Sequence, residues 1–243
     1  MRVGFFVTCL VDLMRPSIGF AAIKLLEAGG AEVFVPPTQT CCGQPAYNSG
    51  DRADALSLAR KLVAEFEGCD YLVAPSGSCS GMIRTHYADL CKSDPALLAR
   101  AQALGERTYE LTDFLVNVLK VKQVPGTFDG TITYHDCCAG LREMGVKDQP
   151  RELLASVPGL ALKEMSEAET CCGFGGTFSI KFGEISTTLA DNKCRRVEES
   201  GADALVLGDL GCMLNIEGRL RRRGNATTRV LHVAEVLAGP TET

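Results

Sequence analysis

The sequence predicts an α/β protein made of two pseudo-symmetric halves with mainly parallel sheets, packed as one compact body. Three observations carry that expectation. The triplet Cys-Cys-Gly stands at 41–43 and again at 171–173. Short apolar runs alternate with helical patterns in both halves. A hydrophobic content of 46% over 243 residues is enough to bury a substantial core. The chain's own cysteine and glycine frequencies give only roughly 0.06 expected CCG triplets, so two at matched positions are a signal.

The elements follow in order. In the first half "VGFFVT" (3–8), "EVFVP" (32–36) and "YLVAP" (71–75) read as strands, and "DRADALSLARKLVAEFE" (51–67) as a helix. In the second, "TITYH" (131–135), "LALKEM" (160–165) and "ALVLG" (204–208) read as strands, with "KFGEISTTLADNKCRRVEES" (181–200) helical. Strands alternating with helices make βαβ units, so each half is expected to be Rossmann-like. The ends agree as well, since "RTYELTDFLVNVL" (107–119) is echoed by "TRVLHVAEVLAG" (228–239). The join falls in "VKQVPGTFDG" (121–130), where Pro125, Gly126 and Gly130 punctuate the chain, dividing it into 1–125 and 126–243.

Charge and hydropathy narrow the function classes. A net charge of −5 and a pI near 5.3 argue against a broad nucleic-acid surface. The local run "RLRRRGN" (219–225) reads as a solvated helix end. The opening "MRVGFFVTCLVDLMRP" resembles a secretory signal only at first sight, because Asp12 interrupts it and no small-residue cleavage pattern follows before Arg15 and Pro16. It reads as a buried first strand. No apolar stretch is long enough for a membrane span, and a cytoplasmic location is expected. In that reducing compartment twelve cysteines point to metal or redox chemistry rather than to a disulfide scaffold.

The cysteines repeat in order and in gap. The first half runs Cys9, 31 residues, Cys41 and Cys42, 36 residues, Cys79; the second runs Cys138, 32 residues, Cys171 and Cys172, 39 residues, Cys212. Three chemistries compete for them. A vicinal disulfide would join Cα atoms about 3.8 Å apart, below the usual 4.4–6.8 Å span. A structural zinc favours C-x-x-C knuckles, whose spacer lets both sulfurs turn toward one ion. A multi-iron cluster suits adjacent cysteines better, because neighbouring thiolates can reach different irons. Four cysteines per half supply one ligand per iron of a [4Fe–4S] cluster, with one or two clusters per chain.

Gly43 and Gly173 then allow a sharp turn and close backbone approach. "GFGG" (173–176) lacks the context of a phosphate loop and reads as part of that turn. Cys69, Cys91, Cys137 and Cys194 remain as core cysteines. Cys137 differs from the others, since it abuts Cys138 and could replace it as a ligand. His135 sits beside the second site and could hydrogen-bond a cluster sulfur, although an ordinary strand-end histidine is the favoured reading. His86 and His232 lack partners at ligand spacing.

"FVTCLVDLMRPSIGFAAIKLLE", "CCGQPAYNSG", "PSGSCSGMIR", "YELTDFLVNVL", "CCGFGGTFS" and "GCMLNIEGRL" closely resemble the lactate utilisation protein A family of CCG-domain iron–sulfur proteins, nearly end to end. The resemblance implies a cytoplasmic redox subunit, rather than an enzyme alone, acting with lactate utilisation proteins B and C in oxidising L-lactate to pyruvate. It places the cluster ligands on Cys9, Cys41, Cys42 and Cys79, and on Cys138, Cys171, Cys172 and Cys212. It also implies kinship with the CCG-bearing component of heterodisulfide reductase and with the iron–sulfur components of glycolate and glycerol-3-phosphate oxidising enzymes.

Two departures matter. The CCG-bearing component of heterodisulfide reductase carries a fifth cysteine where this chain has Met82 and Asn215, which counts against thiol–disulfide chemistry. Ala139 replaces a histidine common in relatives. With no flavin or nicotinamide fingerprint and no obvious arginine–histidine pair for a hydroxy acid, the sequence reads as an electron relay. A thiol–disulfide reductase and a zinc-stabilised assembly module are the alternatives.

Overall fold

The computed structural model describes residues 1–240. Two four-stranded, all-parallel sheets share one topology. The first contains β1 (Arg2–Phe5), β2 (Glu32–Phe34), β3 (Tyr71–Ala74) and β4 (Thr108–Glu110), in the order β2-β1-β3-β4. The second contains β5 (Gly130–His135), β6 (Leu160–Leu162), β7 (Ala204–Leu207) and β8 (Arg229–His232), in the order β6-β5-β7-β8. Register repeats with order. Phe5 pairs with Val73 in one sheet, and Tyr134, its counterpart by cysteine alignment, pairs with Val206 in the other.

β4 and β8 are strands that periodicity does not single out. Each is only three or four residues long and runs directly into a helix, too short to show a strand period of its own. The long helices lie close to their expected places, at Arg52–Phe66 and Gly183–Ser200. Asp51 caps the first by accepting a hydrogen bond from the Asp54 amide at 3.1 Å. Gly201, in the left-handed region at φ 63°, ends the second. The basic run lies at the C-terminal end of helix Leu210–Arg222, where Arg221 and Arg222 are exposed and Arg219 pairs with Asp191.

Alternating side chains send the first sheet's two faces into different surroundings. Phe6 packs edge-on to Phe66 in one cluster with Leu72, Met82, Tyr87 and Leu104. Phe5, Val3 and Val73 belong to a second cluster that continues through Leu111 and Phe114 into Ile132, Leu205 and Val233 of the other half. A shared core of this kind makes the two halves one compact body. Helix Pro16–Ala28 reinforces it from outside: Ser17 donates to Glu235 at 2.8 Å, and Lys24 donates to the Ala238 carbonyl at 2.9 Å.

The halves meet most closely where the helices after β3 and β5 cross. A Cβ placed on Gly77 would lie 2.5 Å from the Gly140 Cα, so this crossing requires glycine at 77. Near it, Glu110 accepts from the Thr112 and Asp113 amides at 2.7 and 3.2 Å while fully buried. Burial pushes its carboxyl up to about 7 from an ordinary 4.5. The folded state thus keeps a proton that the unfolded chain releases, and this group's contribution to stability falls as pH rises from about 4.5 to about 7. Glu110→Gln retains an acceptor and cannot ionise. Its stability relative to wild type should rise by up to about 3 kcal/mol between about pH 5 and about pH 8 in urea titrations. A difference independent of pH would contradict the shift.

Candidate metal centres

Both CCG triplets fold the same way. Gly43 and Gly173 take φ of 85° and 86°, the left-handed region that a side chain disfavours. That turn points each glycine amide back at the first cysteine of its pair: Gly43 N–H donates to Cys41 Sγ at 3.4 Å, and Gly173 N–H to Cys171 Sγ at 3.3 Å. A Cβ on Gly173 would also lie 2.5 Å from the Ser186 carbonyl oxygen. The motif's glycine therefore serves both the turn and a hydrogen bond to sulfur.

The remaining repeated cysteines sit on the first turns of the helices that follow β1, β3, β5 and β7. In the first half Cys9 approaches Cys41, which adjoins Cys42, and Cys42 Sγ lies 3.5 Å from Cys79 Sγ. Cys41 is held down to about 3 because the Cys42 and Cys9 thiols hydrogen-bond to it; Cys9 and Cys42 are pushed up correspondingly. The second half repeats this, with Cys171 held down to about 2 by Cys138 and Cys172. All eight repeated cysteines thus come together as two sets of four.

Cys137 joins the second set through a hydrogen bond with Cys212. Cys69, Cys91 and Cys194 are buried away from both sets, as core cysteines. The two positions of the missing fifth cysteine are occupied structurally. Met82 is fully buried, and Asn215 donates to the Cys172 carbonyl at 2.9 Å, bracing the second CCG loop. His135 lies buried beside the second set, with Nδ1 3.1 Å from the Ala168 carbonyl oxygen. Burial and the nearby Lys193 cation push it down to about 3, so its ring is neutral.

A cavity of about 130 Å³ adjoins the first set. Cys9, Cys41, Cys42 and Cys79 line it from one half, and Phe174 and Leu210 close it from the other. Asp209 ties the two sets together: it accepts from Ser76 Oγ at 2.8 Å and the Ser78 amide at 3.1 Å across the interface, and from the Gly211 amide at 3.0 Å within its own half. Ser76 in turn accepts from the Cys79 amide at 3.3 Å. Ser76 and Asp209 occupy the same repeat position, three residues before Cys79 and Cys212.

The donor set fits an iron–sulfur group. Each site offers several thiols on short turns and a glycine amide donating to sulfur, and Phe174 and Leu210 wall the first. Lys193, Asp209 and the Arg151–Asp136 pair are site-supporting residues that motif reading does not identify. Lys193 stands on the buried stripe of its helix, with Ala190, Cys194 and Val197, and a charge on that stripe is a readable signal.

The fold and these twin sites define a CCG protein: the family model of the CCG cysteine-rich domain matches residues 3–84 and again 132–217. Lactate utilization protein A of Halalkalibacterium halodurans is 47% identical over 98% of this chain and 96% of its own length. That of Geobacillus kaustophilus is 48% identical over 98% of both chains. The chain belongs to the lactate utilization protein A family. Among solved structures, a hypothetical protein from Helicobacter pylori shares the fold with a TM-score of 0.69 and 13% identity, over 99% of this chain and 49% of that one. This chain spans about half the length of that structure.

Proposed function

We propose that the chain is the iron–sulfur electron-transfer subunit of an L-lactate oxidising system, passing electrons released as L-lactate becomes pyruvate. The observation that carries this reading is the gathering of Cys9, Cys41, Cys42 and Cys79, and of Cys138, Cys171, Cys172 and Cys212, into two sets tied by Asp209. These eight cysteines are the ligands, for one [4Fe–4S] cluster per half. Lactate enters the proposal from the names of the relatives.

Bound at these thiols, an iron–sulfur cluster supplies one-electron transfer. The chain's own residues do the rest. The glycine amides hold Cys41 and Cys171 as acceptors, Phe174 and Leu210 wall one side of the first site, and the Ser76–Asp209 network fixes one site relative to the other. No helix among the described residues is long and apolar enough to cross a membrane, and the proposed location is the cytoplasm.

Lactate utilisation proteins B and C are the proposed partners. Exposed apolar side chains suit such docking: Leu13 and Met14 lie on the helix that begins at Cys9, and Ile180, Phe182 and Ile185 follow the second CCG loop. Among the alternatives, thiol–disulfide reduction is disfavoured by Met82 and Asn215, and a zinc assembly module by the absence of C-x-x-C knuckles.

Anaerobic purification with iron and sulfide analysis, followed by reconstitution with the B and C proteins, tests the reading. Lactate should bleach the visible absorption of the chain only when the partners are present. Uptake of zinc alone after anaerobic reconstitution would overturn it.

A further inference from the structure

We propose that His135 Nε2 takes the place of one of the second set's four thiolates as ligand to an iron, so that this centre has three thiolates and one imidazole where the first half's has four thiolates. The inference rests on the iron–sulfur reading above and concerns which side chains hold the metal. Its starting point is a buried atom with nothing to bond. The His135 ring is fully buried at the end of β5, and Nε2 is without a hydrogen-bond partner among the described residues.

The other nitrogen fixes the tautomer. Nδ1 lies 3.1 Å from the Ala168 carbonyl oxygen, which can only accept, so Nδ1 carries the proton and Nε2 carries a lone pair. Ala168 is itself held, accepting from the Asp136 amide and from Lys193 Nζ, each at 3.2 Å. The ring sits among sulfurs: a nitrogen of His135, Cys172 Sγ and Cys212 Sγ all lie within 4.8 Å of one another. Histidines that ligate metals commonly donate their second N–H to a backbone carbonyl in this manner.

The bland alternative is a histidine that fills space. The first half shows what filling that space requires, because the repeat aligns His135 with Phe6, which is buried edge-on against Phe66. An apolar ring suffices there. A histidine left with a dry, unpaired nitrogen carries a desolvation penalty, and a metal bond would remove it. The same alignment sets Cys137 against Thr8, so the second half gains two donors, one thiol and one imidazole, that the first half lacks.

The chemical consequence is directional. Replacing an anionic thiolate by a neutral imidazole on iron raises the reduction potential. The second centre is therefore the better electron acceptor of the two, and electrons move from the first half toward the second.

The test uses the full chain, reconstituted anaerobically, reduced, and labelled with ¹⁵N at histidine. Pulsed electron paramagnetic resonance should show a strongly coupled histidine nitrogen. Cys41→Ser, which empties the first half, should keep that signal. His135→Phe should abolish it and shift the second centre's midpoint to lower potential. A second half loaded with iron but showing only weak nitrogen coupling overturns the inference and leaves the cluster reading intact. Absence of iron from both halves overturns the cluster reading itself. The wild-type spectrum decides the matter even where His135→Phe loads poorly.

Discussion

Cys41→Ser and Cys171→Ser should each lower the iron content of the anaerobically reconstituted chain by about half, since each removes a ligand from one of two centres. These two sulfurs are the central ones of their sets. Cys41 accepts hydrogen bonds from Cys42 and Cys9, and Cys171 from Cys138 and Cys172. Each also receives the amide of the CCG glycine. Serine preserves the shape and an acceptor, so far-ultraviolet circular dichroism of the metal-free chain should not change. Lactate-driven reduction in the presence of the partner proteins should be lost in whichever variant empties a centre on the electron route. If both variants kept full iron content and full lactate-dependent reduction, the eight-cysteine assignment and the relay would both fall.

The repeat makes much of this legible, because cysteine spacing and strand register report the same symmetry. Aligning Cys9 with Cys138 pairs Phe5 with Tyr134, and the sheets place those residues opposite Val73 and Val206, themselves repeat partners. Convergence of Cys42 with Cys79 likewise follows from segments leaving the ends of β2 and β3, the two strands that flank β1. What spacing does not convey is which residues cross between halves. Ser76 and Asp209 are ordinary helix caps in sequence, and only packing of one half on the other turns them into a hydrogen-bonded pair. β4 and β8 are hidden for a different reason, since strands of three and four residues, Thr-Tyr-Glu and Arg-Val-Leu-His, that lead straight into a helix are too short to show a period of their own. His135 reads as a strand-end residue in sequence because its distinguishing feature is a lone pair left without a partner, and that depends on the position of Ala168, thirty-three residues away.

Arg151→Ala should destabilise the protein by about 3–5 kcal/mol, the cost of leaving a buried carboxylate without its partner. Asp136 lies between His135 and Cys137, with its side chain only 1% exposed. Arg151 grips both of its oxygens, at 2.8 and 2.9 Å, from helix Asp148–Ala155, and its guanidinium also lies 5.1 Å from the centre of the Tyr134 ring. At 19% exposure the arginine is screened far less than a surface ion pair. Truncating it strands the charge at the strand end that carries the second site, so iron uptake by that half should fall along with the urea midpoint. Adding Asp136→Asn removes the stranded charge, and the double variant should be more stable than Arg151→Ala alone. That ordering distinguishes an unpaired charge from simple loss of packing, which the second substitution would not repair. A single variant within about 1 kcal/mol of wild type would show that the pair lies in a wetter setting than its burial indicates.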